Sequence, residues 1–408
     1  MSNVEKETGQ VRECTGCQFC AAVCPRKAIQ VTLDDEGFFR PSILEERCTD
    51  CGLCVKYCYK YDTQIWMTPH SGSVVAYSAR VRDLAWLNSS TSGGIATMLM
   101  KKCVELGYHV VGVAYDYETD MAVAETTSDV GRIPAFKGSK YMPVYTLGAY
   151  QEVLEHEGGR KYAVFGLPCH IYPLYRRATT MGTRDRYLFV DFFCHGYPSI
   201  KLWRKYAESV KKRLGTSRFD RVCFRSKQRG WHEFVHTFSA NGVEYVSPRT
   251  VWDPFFTIFF DDLILGASCY NCQLRSTMEY TDIRLGDYWG EIHEMDTNGV
   301  SAVAISSTRG QRLFGEIADL VDIGATDFKD IARYQYYGRC FAVDLRSRQR
   351  TLGLLQSERD MTDVFKDYIR AYGKGKKLER IVRIVVSLLP RRLQFWCKAL
   401  YRRLVHMV

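Results

Sequence analysis

The sequence predicts an α/β (α+β) chain in three parts: a small cysteine-rich unit, a larger α/β domain and a basic helical tail. Three observations predict it. Two runs of four cysteines near the N-terminus share one spacing. Apolar strand-like runs alternate with amphipathic helix-like runs from about residue 76 to 350, and positive charge gathers after residue 373.

The cysteine-rich unit spans residues 1–68. Cys14, Cys17, Cys20 and Cys24 are spaced C-x2-C-x2-C-x3-C, and Cys48, Cys51, Cys54 and Cys58 repeat the spacing. A bacterial-type dicluster ferredoxin domain holds two [4Fe–4S] clusters in this way. Each cube has four iron corners, each needing a thiolate. Three close cysteines wrap three corners, and the fourth ligand comes from the other run. The expected sets are therefore Cys14, Cys17, Cys20 and Cys58, and Cys48, Cys51, Cys54 and Cys24. Gly16 and Gly52 let backbone pass close to inorganic sulfur without a Cβ. Pro25 follows Cys24 as the bacterial pattern requires, whereas Tyr59 replaces that proline after Cys58. Zinc is held by two separated C-x2-C pairs and has no use for a third and fourth cysteine in one run. Disulfides require a secreted chain, and the N-terminal MSNVEKETGQVRE has no apolar stretch of a signal peptide. A cytoplasmic carrier of single electrons is expected.

With 408 residues, 46% hydrophobic and 25% charged, enough chain remains beyond that unit for one large or two ordinary domains. The net charge is +10, but residues 374–408 hold ten Lys/Arg and one acid, Glu379. The body is close to neutral, which excludes a nucleic-acid-binding surface spread over it.

The stretch TPHSGSVV (68–75) reads as a linker. Beyond it, strands are expected at YHVVGVAY (108–115), KYAVFG (161–166), YLFVDFF (187–193), RVCFR (221–225) and AVAISS (302–307). Helices are expected at IATMLMKKCVELG (95–107) and SIKLWRKYAESVKKRL (199–214). The larger domain divides into an N-terminal part, 76–160, and a C-terminal part, 161–350, ahead of a tail at 355–408. No stretch reaches the roughly 18 apolar residues of a membrane span. The best, IVRIVVSLL (381–389), holds Arg383 and ends at Pro390. The tail interleaves basic residues with Ile381, Val385, Leu388, Leu389, Phe395, Trp396, Leu400 and Tyr401. This pattern suits either an amphipathic helix lying peripherally on the anionic inner face of the cell membrane or a helix packed on a partner protein.

Eight cysteines lie outside the first unit. Cys103 falls mid-helix and Cys223 mid-strand, as small core residues do, while Cys340 and Cys397 have no suggestive neighbours. Cys169 follows a strand through a GLPC turn, and Cys194 ends a strand. Both thus stand at carboxyl ends of strands, where open α/β sheets place their sites. Cys269 and Cys272 form a C-x2-C. On spacing alone these four admit a third cube, a zinc ion or unrelated core cysteines.

The segment NSSTSGGIATMLM (88–100) is a small polar loop opening a helix, with Ser92 as its cap and Gly93 and Gly94 open to a ligand. Its free N–H groups suit an anion such as a dinucleotide pyrophosphate, and equally an ordinary helix start. It is not a G-x-G-x-x-G fingerprint, so a standard NAD site is disfavoured. KGSKYMP (137–143) offers Lys137, Ser139, Lys140 and Tyr141 in a second glycine-containing turn.

In this order, TSGGIATMLM, KGSKYMP, VFGLPCH, FFCHGYPS, FRSKQRGW, CYNCQL and TDIRLGDYWG resemble the coenzyme F-420 hydrogenase/dehydrogenase beta-subunit family, behind a fused 2[4Fe–4S] ferredoxin domain. His170 stands where many members carry Gln. The resemblance implies an FAD-binding iron–sulfur flavoprotein oxidoreductase. It implies a third [4Fe–4S] cluster on Cys169, Cys194, Cys269 and Cys272, and FAD contacts at Ser92, Gly93, Gly94, Thr97, Lys137, Ser139, Lys140 and Tyr141. It also implies a catalytic Asp287 facing flavin or substrate. The expected activity passes electrons between a protein donor or acceptor, the clusters and FAD, and then, as hydride, to an organic acceptor such as coenzyme F-420. The alternatives are a non-catalytic electron-transfer subunit of a larger redox complex and a reductase accessory to surface polysaccharide biosynthesis.

Overall fold

A computed structural model describes residues 3–4, 13–62, 65, 74–390, 392–397 and 400. Most of the expected linker, and Tyr401, lie outside them. The cysteine-rich unit contributes a hairpin, β1 (Ile29–Leu33) and β2 (Phe39–Ile43), with each half of the unit carrying a one-turn helix, Phe19–Ala22 and Leu53–Lys56. Both short helices begin at a residue in the left-handed region, Gln18 (φ 64°) and Gly52 (φ 74°).

The larger part is built on β3 (Val75–Val81), β4 (His109–Asp116), β5 (Met121–Thr127), β6 (Val144–Tyr145), β7 (Tyr162–Gly166) and β8 (Tyr187–Phe192). A separate three-stranded antiparallel sheet holds β9 (Arg221–Cys223), β10 (Thr237–Ala240) and β11 (Val243–Val246). The strands β12 (Ile283–Asp287), β13 (Ser301–Ile305) and β14 (Val321–Thr326) return to the main sheet. Among the described residues that sheet has nine strands in the order β14-β3-β13-β12-β8-β7-β4-β5-β6. Its centre, β4-β7-β8-β12, is parallel, and β13, β3 and β14 extend it antiparallel. Mixed α/β architecture is thus observed. Strands from both sides of residue 160 share one sheet: β4 pairs with β7, and β3 lies between β13 and β14.

Every residue of β7 and β13 is buried, as expected of strands covered on both faces. On one face Tyr162, Val164, Tyr187 and Phe189 join a large aromatic core; on the other Ala163, Phe165, Leu188 and Val190 pack beneath the helix Ile95–Glu105. The helix Ile200–Leu214 follows the sequence closely. Ser199 caps it by accepting from Lys201 N–H, and Gly215 (φ 63°) ends it.

The cysteine-rich unit shares the large core: Phe19, Val23, Phe38, Tyr57 and Tyr59 pack in the same cluster as Trp203, Phe255 and Tyr280. Gln18 pins it further. Its Nε2 donates to Val144 O (2.9 Å), and its Oε1 accepts from Thr146 N–H and Leu147 N–H (both 3.0 Å). Gly37 (φ +84°) lies so close to the next layer that a Cβ would sit 2.7 Å from Ser199 Oγ.

The strands β8 and β12 carry a buried ion pair. Arg284 is bidentate to Asp191 at 2.8 and 2.6 Å, and its Nη2 also donates to Tyr280 OH at 2.6 Å. The two side chains are 1% and 0% exposed. Burial pushes the Asp191 carboxyl up even with the guanidinium beside it.

Candidate functional site

The eight N-terminal cysteines frame two voids. A cavity of about 320 Å³ is lined by Cys14, Cys17, Cys20 and Cys58, and also by Cys54. A smaller one is lined by Cys24, Cys48, Cys51 and Cys54. The fourth cysteine of each run therefore crosses to the other run's void. Backbone amides point at the sulfurs: Gly16 N–H donates to Cys14 Sγ (3.2 Å) and Ala28 N–H to Cys24 Sγ (3.3 Å). Burial, then Cys14, pushes the Cys17 thiol up to about 11. Burial, then Cys17, Cys14, Cys58 and Cys54, pushes Cys20 well up. Thiolates gathered like this need a cationic centre to offset their repulsion. Among the described residues no group of three or more His, Cys, Asp or Glu is placed to hold a single metal ion; these cysteines instead stand around wider voids.

The second set of four comes together from three places. Cys169 lies in the first turn of the helix Pro168–Thr180, directly after β7. Cys194 follows β8, and Cys269 and Cys272 come from the short helix Ala267–Tyr270 and the residues after it. All four line one small void with Thr15, Gly196, Tyr197, Ser268 and Arg275. Burial, then Cys194, Cys272, Cys17 and Cys269, pushes Cys169 well up. Burial and Cys269 push Cys194 to about 12, and burial and Cys272 push Cys269 to about 11. A Cβ on Gly196 (φ +129°) would sit 3.2 Å from Cys269 Cβ, and one on Gly266 3.4 Å from Cys269 Sγ. Both glycines therefore keep the approach to these sulfurs open. Buried donors beside the set, Ser268 Oγ and Arg275 Nε, have no hydrogen-bond partner. A donor set of four thiols, two buried and two half-buried, with two unpartnered donors beside it fits a sulfur-rich cluster. The two regions are adjacent: Cys17 is among the groups that raise Cys169, and Tyr197, beside the second set, donates its hydroxyl to Thr15 O.

Cys194 also stands in the wall of a larger cavity of about 360 Å³. Ser92, Gly94, Thr97, Lys137, Ser139, Lys140, Tyr141 and Asp287 line the same cavity. Several differ in detail from the sequence reading. Ser92 does not cap the helix. Gly94 (φ 79°) is its N-cap, and Ser92 Oγ donates to Val300 O (2.9 Å). Gly93 does not line the cavity; its N–H donates to Ser301 Oγ, and a Cβ there would sit 2.3 Å from Ala79 O. Its role is to let the helix entry touch β3 and β13. Thr97 Oγ1 accepts from Trp86 Nε1 (3.1 Å). Lys137 Nζ donates to Ser89 Oγ (2.7 Å), 3.9 Å from the Trp86 ring centre. Lys140 Nζ donates to the carbonyls of Val113, Ala135, Phe136 and Lys137, and burial lowers its pKa to about 7. That ammonium is occupied by backbone rather than free for a phosphate. Tyr141 packs on Phe256 and Phe259.

Asp287 ends β12 with both carboxylate oxygens engaged, one with Arg225 and the other accepting from Trp231 Nε1 at 2.7 Å. Arg225, 3% exposed, lies 4.1 Å from the Phe234 ring centre, and Trp231 stacks on Trp289 at 5.1 Å. Motif reading missed Arg225 as Asp287's partner. It also missed His195, which stacks on Tyr336 at 4.0 Å with Nε2 2.5 Å from Asp262 Oδ1. Arg225 and His195 lie inside the motifs FRSKQRGW and FFCHGYPS, and that was the available signal.

Residues 159–331 match the family model for the carboxyl-terminal part of the coenzyme F420 hydrogenase/dehydrogenase beta subunit. The carboxyl-terminal part of the larger domain is thus similar to that family. Residues 13–60 match a 4Fe-4S dicluster domain. A solved structure of the F420-reducing [NiFe] hydrogenase complex from Methanosarcina barkeri is similar at 17% identity, over 63% of this chain and 83% of that one, with a TM-score of 0.45. No curated protein matches. The beta-subunit family match spans β7 to β14, and so both strand ends that carry Cys169 and Cys194.

Proposed function

We propose that this iron–sulfur oxidoreductase of the F420 hydrogenase/dehydrogenase beta-subunit family holds three [4Fe–4S] clusters and one FAD, and exchanges hydride with an organic acceptor. The clusters would be held by Cys14, Cys17, Cys20 and Cys58; by Cys24, Cys48, Cys51 and Cys54; and by Cys169, Cys194, Cys269 and Cys272. When bound, clusters supply one-electron steps and FAD the conversion between these and a two-electron hydride. The observation that carries the reading is Cys194, which lines both the second thiol set and the large cavity.

The chain's own residues prepare the rest. Gly94 and the first turn of the helix Ile95–Glu105 offer backbone amides to an anionic cofactor. Aromatic walls from Tyr141, Phe234, Phe259, Phe260 and Trp289 exclude water. Arg225, Trp231 and the Gln335 side chain fix Asp287 at the cavity edge. His195, aligned by Asp262 and Tyr336, places its imidazole at the cavity wall.

Anaerobic purification with iron and flavin analysis tests the proposal. About 12 iron atoms, three cubes of four, with one FAD per chain support it. About 8 iron atoms without flavin, even after FAD reconstitution, refute it and leave a pure electron carrier. Bleaching of F420 on addition to chemically reduced protein would identify the acceptor; no absorbance loss removes that deazaflavin.

The tail adds a membrane partner to this proposal. Among the described residues no helix is long and apolar enough to cross a membrane. The helix Lys374–Leu388 is held to the body by Lys376–Asp261 (2.9 Å) and by Arg249 donating to Ser387 O. It leaves Leu378, Ile381, Val382, Val385 and Leu388 exposed, with Trp396 68% exposed beyond it. An apolar stripe in a tail whose sequence holds ten basic residues suits an anionic lipid surface. Co-sedimentation with phosphatidylserine vesicles should fall on adding salt and on Ile381→Ser with Val385→Ser. Absence of binding by the wild-type chain refutes this part.

A further inference from the structure

The first cysteine run ends Cys24-Pro25, as bacterial dicluster runs do, and the second ends Cys58-Tyr59. A proline offers no hydrogen-bond donor, whereas a tyrosine offers a phenol. Tyr59 opens the single-turn helix Tyr59–Tyr61, directly after Cys58. It is 3% exposed and packs in one cluster with Cys169 and Cys269. Its ring makes an edge contact of 6.2 Å with Tyr172, on the helix that begins at Pro168 and Cys169. The ring thus packs, one residue past Cys58, against the helix whose first turn carries Cys169. Its hydroxyl is buried with no hydrogen-bond partner.

A buried hydroxyl left unpaired costs about 1–3 kcal/mol, so this position asks for an acceptor. The groups that influence the phenol most, after burial, are Cys272, Cys169 and Cys269, and then Cys58. All four are sulfurs, and three belong to the second set. Once these cysteines are iron-bound thiolates, they are acceptors.

We propose that Tyr59 donates a hydrogen bond from its phenol to a cysteine thiolate of the Cys169/Cys194/Cys269/Cys272 centre, and so raises the reduction potential of that centre. The inference rests on the third cluster proposed above. A hydrogen bond to a ligand sulfur stabilises the more negative, reduced state of a cluster, and such bonds help set cluster potentials. Replacing the proline of the second run thus makes the centre next to the cavity a better acceptor for electrons arriving from the dicluster unit. Tyr59 acts here as a positioning and tuning residue, through the sulfur.

The test compares wild-type protein with Tyr59→Phe, both full-length and purified anaerobically with their clusters. Phenylalanine keeps the ring and removes only the hydroxyl. Potentials are read by redox titration with electron paramagnetic resonance. The reduced third centre is also examined for an exchangeable proton by double resonance in H2O and D2O. The expected result is unchanged iron content, unchanged dicluster potentials, a lower potential for the third centre alone, and loss of one exchangeable proton coupling. Three centres in both proteins, with equal third-centre potentials and the same coupling, would overturn the role of Tyr59 and leave the third cluster standing. A wild-type protein with only two centres would overturn the third cluster itself.

Discussion

Replacing Arg284 with methionine should be among the costliest single changes in this chain. The guanidinium makes two charge-assisted bonds to Asp191 and one to Tyr280 OH, in a site where both charged side chains are at most 1% exposed. Methionine fills a similar volume but leaves the carboxylate uncompensated. Breaking a buried pair from one side costs about 3–5 kcal/mol, a large share of the roughly 5–15 kcal/mol that stabilises a domain. Asp191 can escape part of this by taking a proton, since burial already pushes its pKa up. The penalty in Arg284→Met should therefore be larger at pH 8 than at pH 5.5. Adding Asp191→Asn should return most of the loss, because the charge that needed a partner is gone. Urea unfolding of the four proteins under anaerobic conditions, followed by tryptophan fluorescence, supplies the cycle. A single-variant cost below about 1 kcal/mol at pH 8, or strictly additive single and double variants, would refute the reasoning. Asp191 lies three residues before Cys194 and Arg284 three before Asp287. The same variant should thus lose its third-centre signal before its dicluster signals.

Other outcomes follow from particular contacts. Asp253 is buried, and burial raises its pKa to about 6 although Tyr206 and the Phe256 amide bond to it. The folded value exceeds the unfolded one, so this carboxyl's contribution is most favourable below about pH 4 and is lost as pH rises to about 6. At about 1.36 kcal/mol per pH unit the loss is roughly 3 kcal/mol, and Asp253→Asn should flatten stability across that window; an unchanged slope would count against it. Gly93→Ala should cost about 1–3 kcal/mol, because the new Cβ meets the Ala79 carbonyl. Flavin affinity per folded chain should change less in it than in Gly94→Ala, where φ is +79° at the cavity wall, and equal flavin affinities would contradict the separate roles. Asp287→Asn keeps the Trp231 contact but weakens the pair with Arg225. Turnover should fall while iron content holds, and unaltered turnover would remove Asp287 from the reaction.

Much of the centre of the fold was legible because periodicity and burial agree there. The expected strands at 108–115, 161–166 and 187–193 are β4, β7 and β8 within a residue or so, and the expected helix at 199–214 is Ile200–Leu214. The edges were not legible. VDIGAT of β14 is mostly exposed, so its alternation marks no buried face; it pairs with β3, some 240 residues earlier. β12 carries a charge, Arg284, where a buried strand should be apolar, and only Asp191 on the neighbouring strand explains it. RVCFR does form a strand, but in the small sheet rather than the main one. The cysteines were readable because ligand spacing is local, whereas Arg225–Asp287 and His195–Asp262 join residues more than sixty positions apart. Lys140 looked like a phosphate ligand because no spacing rule shows that four carbonyls already hold it.

The way Gln18, Gly37 and the shared aromatic core bind the small unit to the large one bears on how current enters the protein. A ferredoxin on a tether behaves as a swinging arm, whose delivery rate depends on rotation and redocking. This one is soldered in place, so its internal transfer is paced by fixed gaps between neighbouring thiol sets. Lengthening the connection near residues 63–73 would leave that pace unchanged. Of the eight cysteines in the small unit, Cys51 alone is exposed, so a protein exchanging electrons with the proposed wire would meet it at that end.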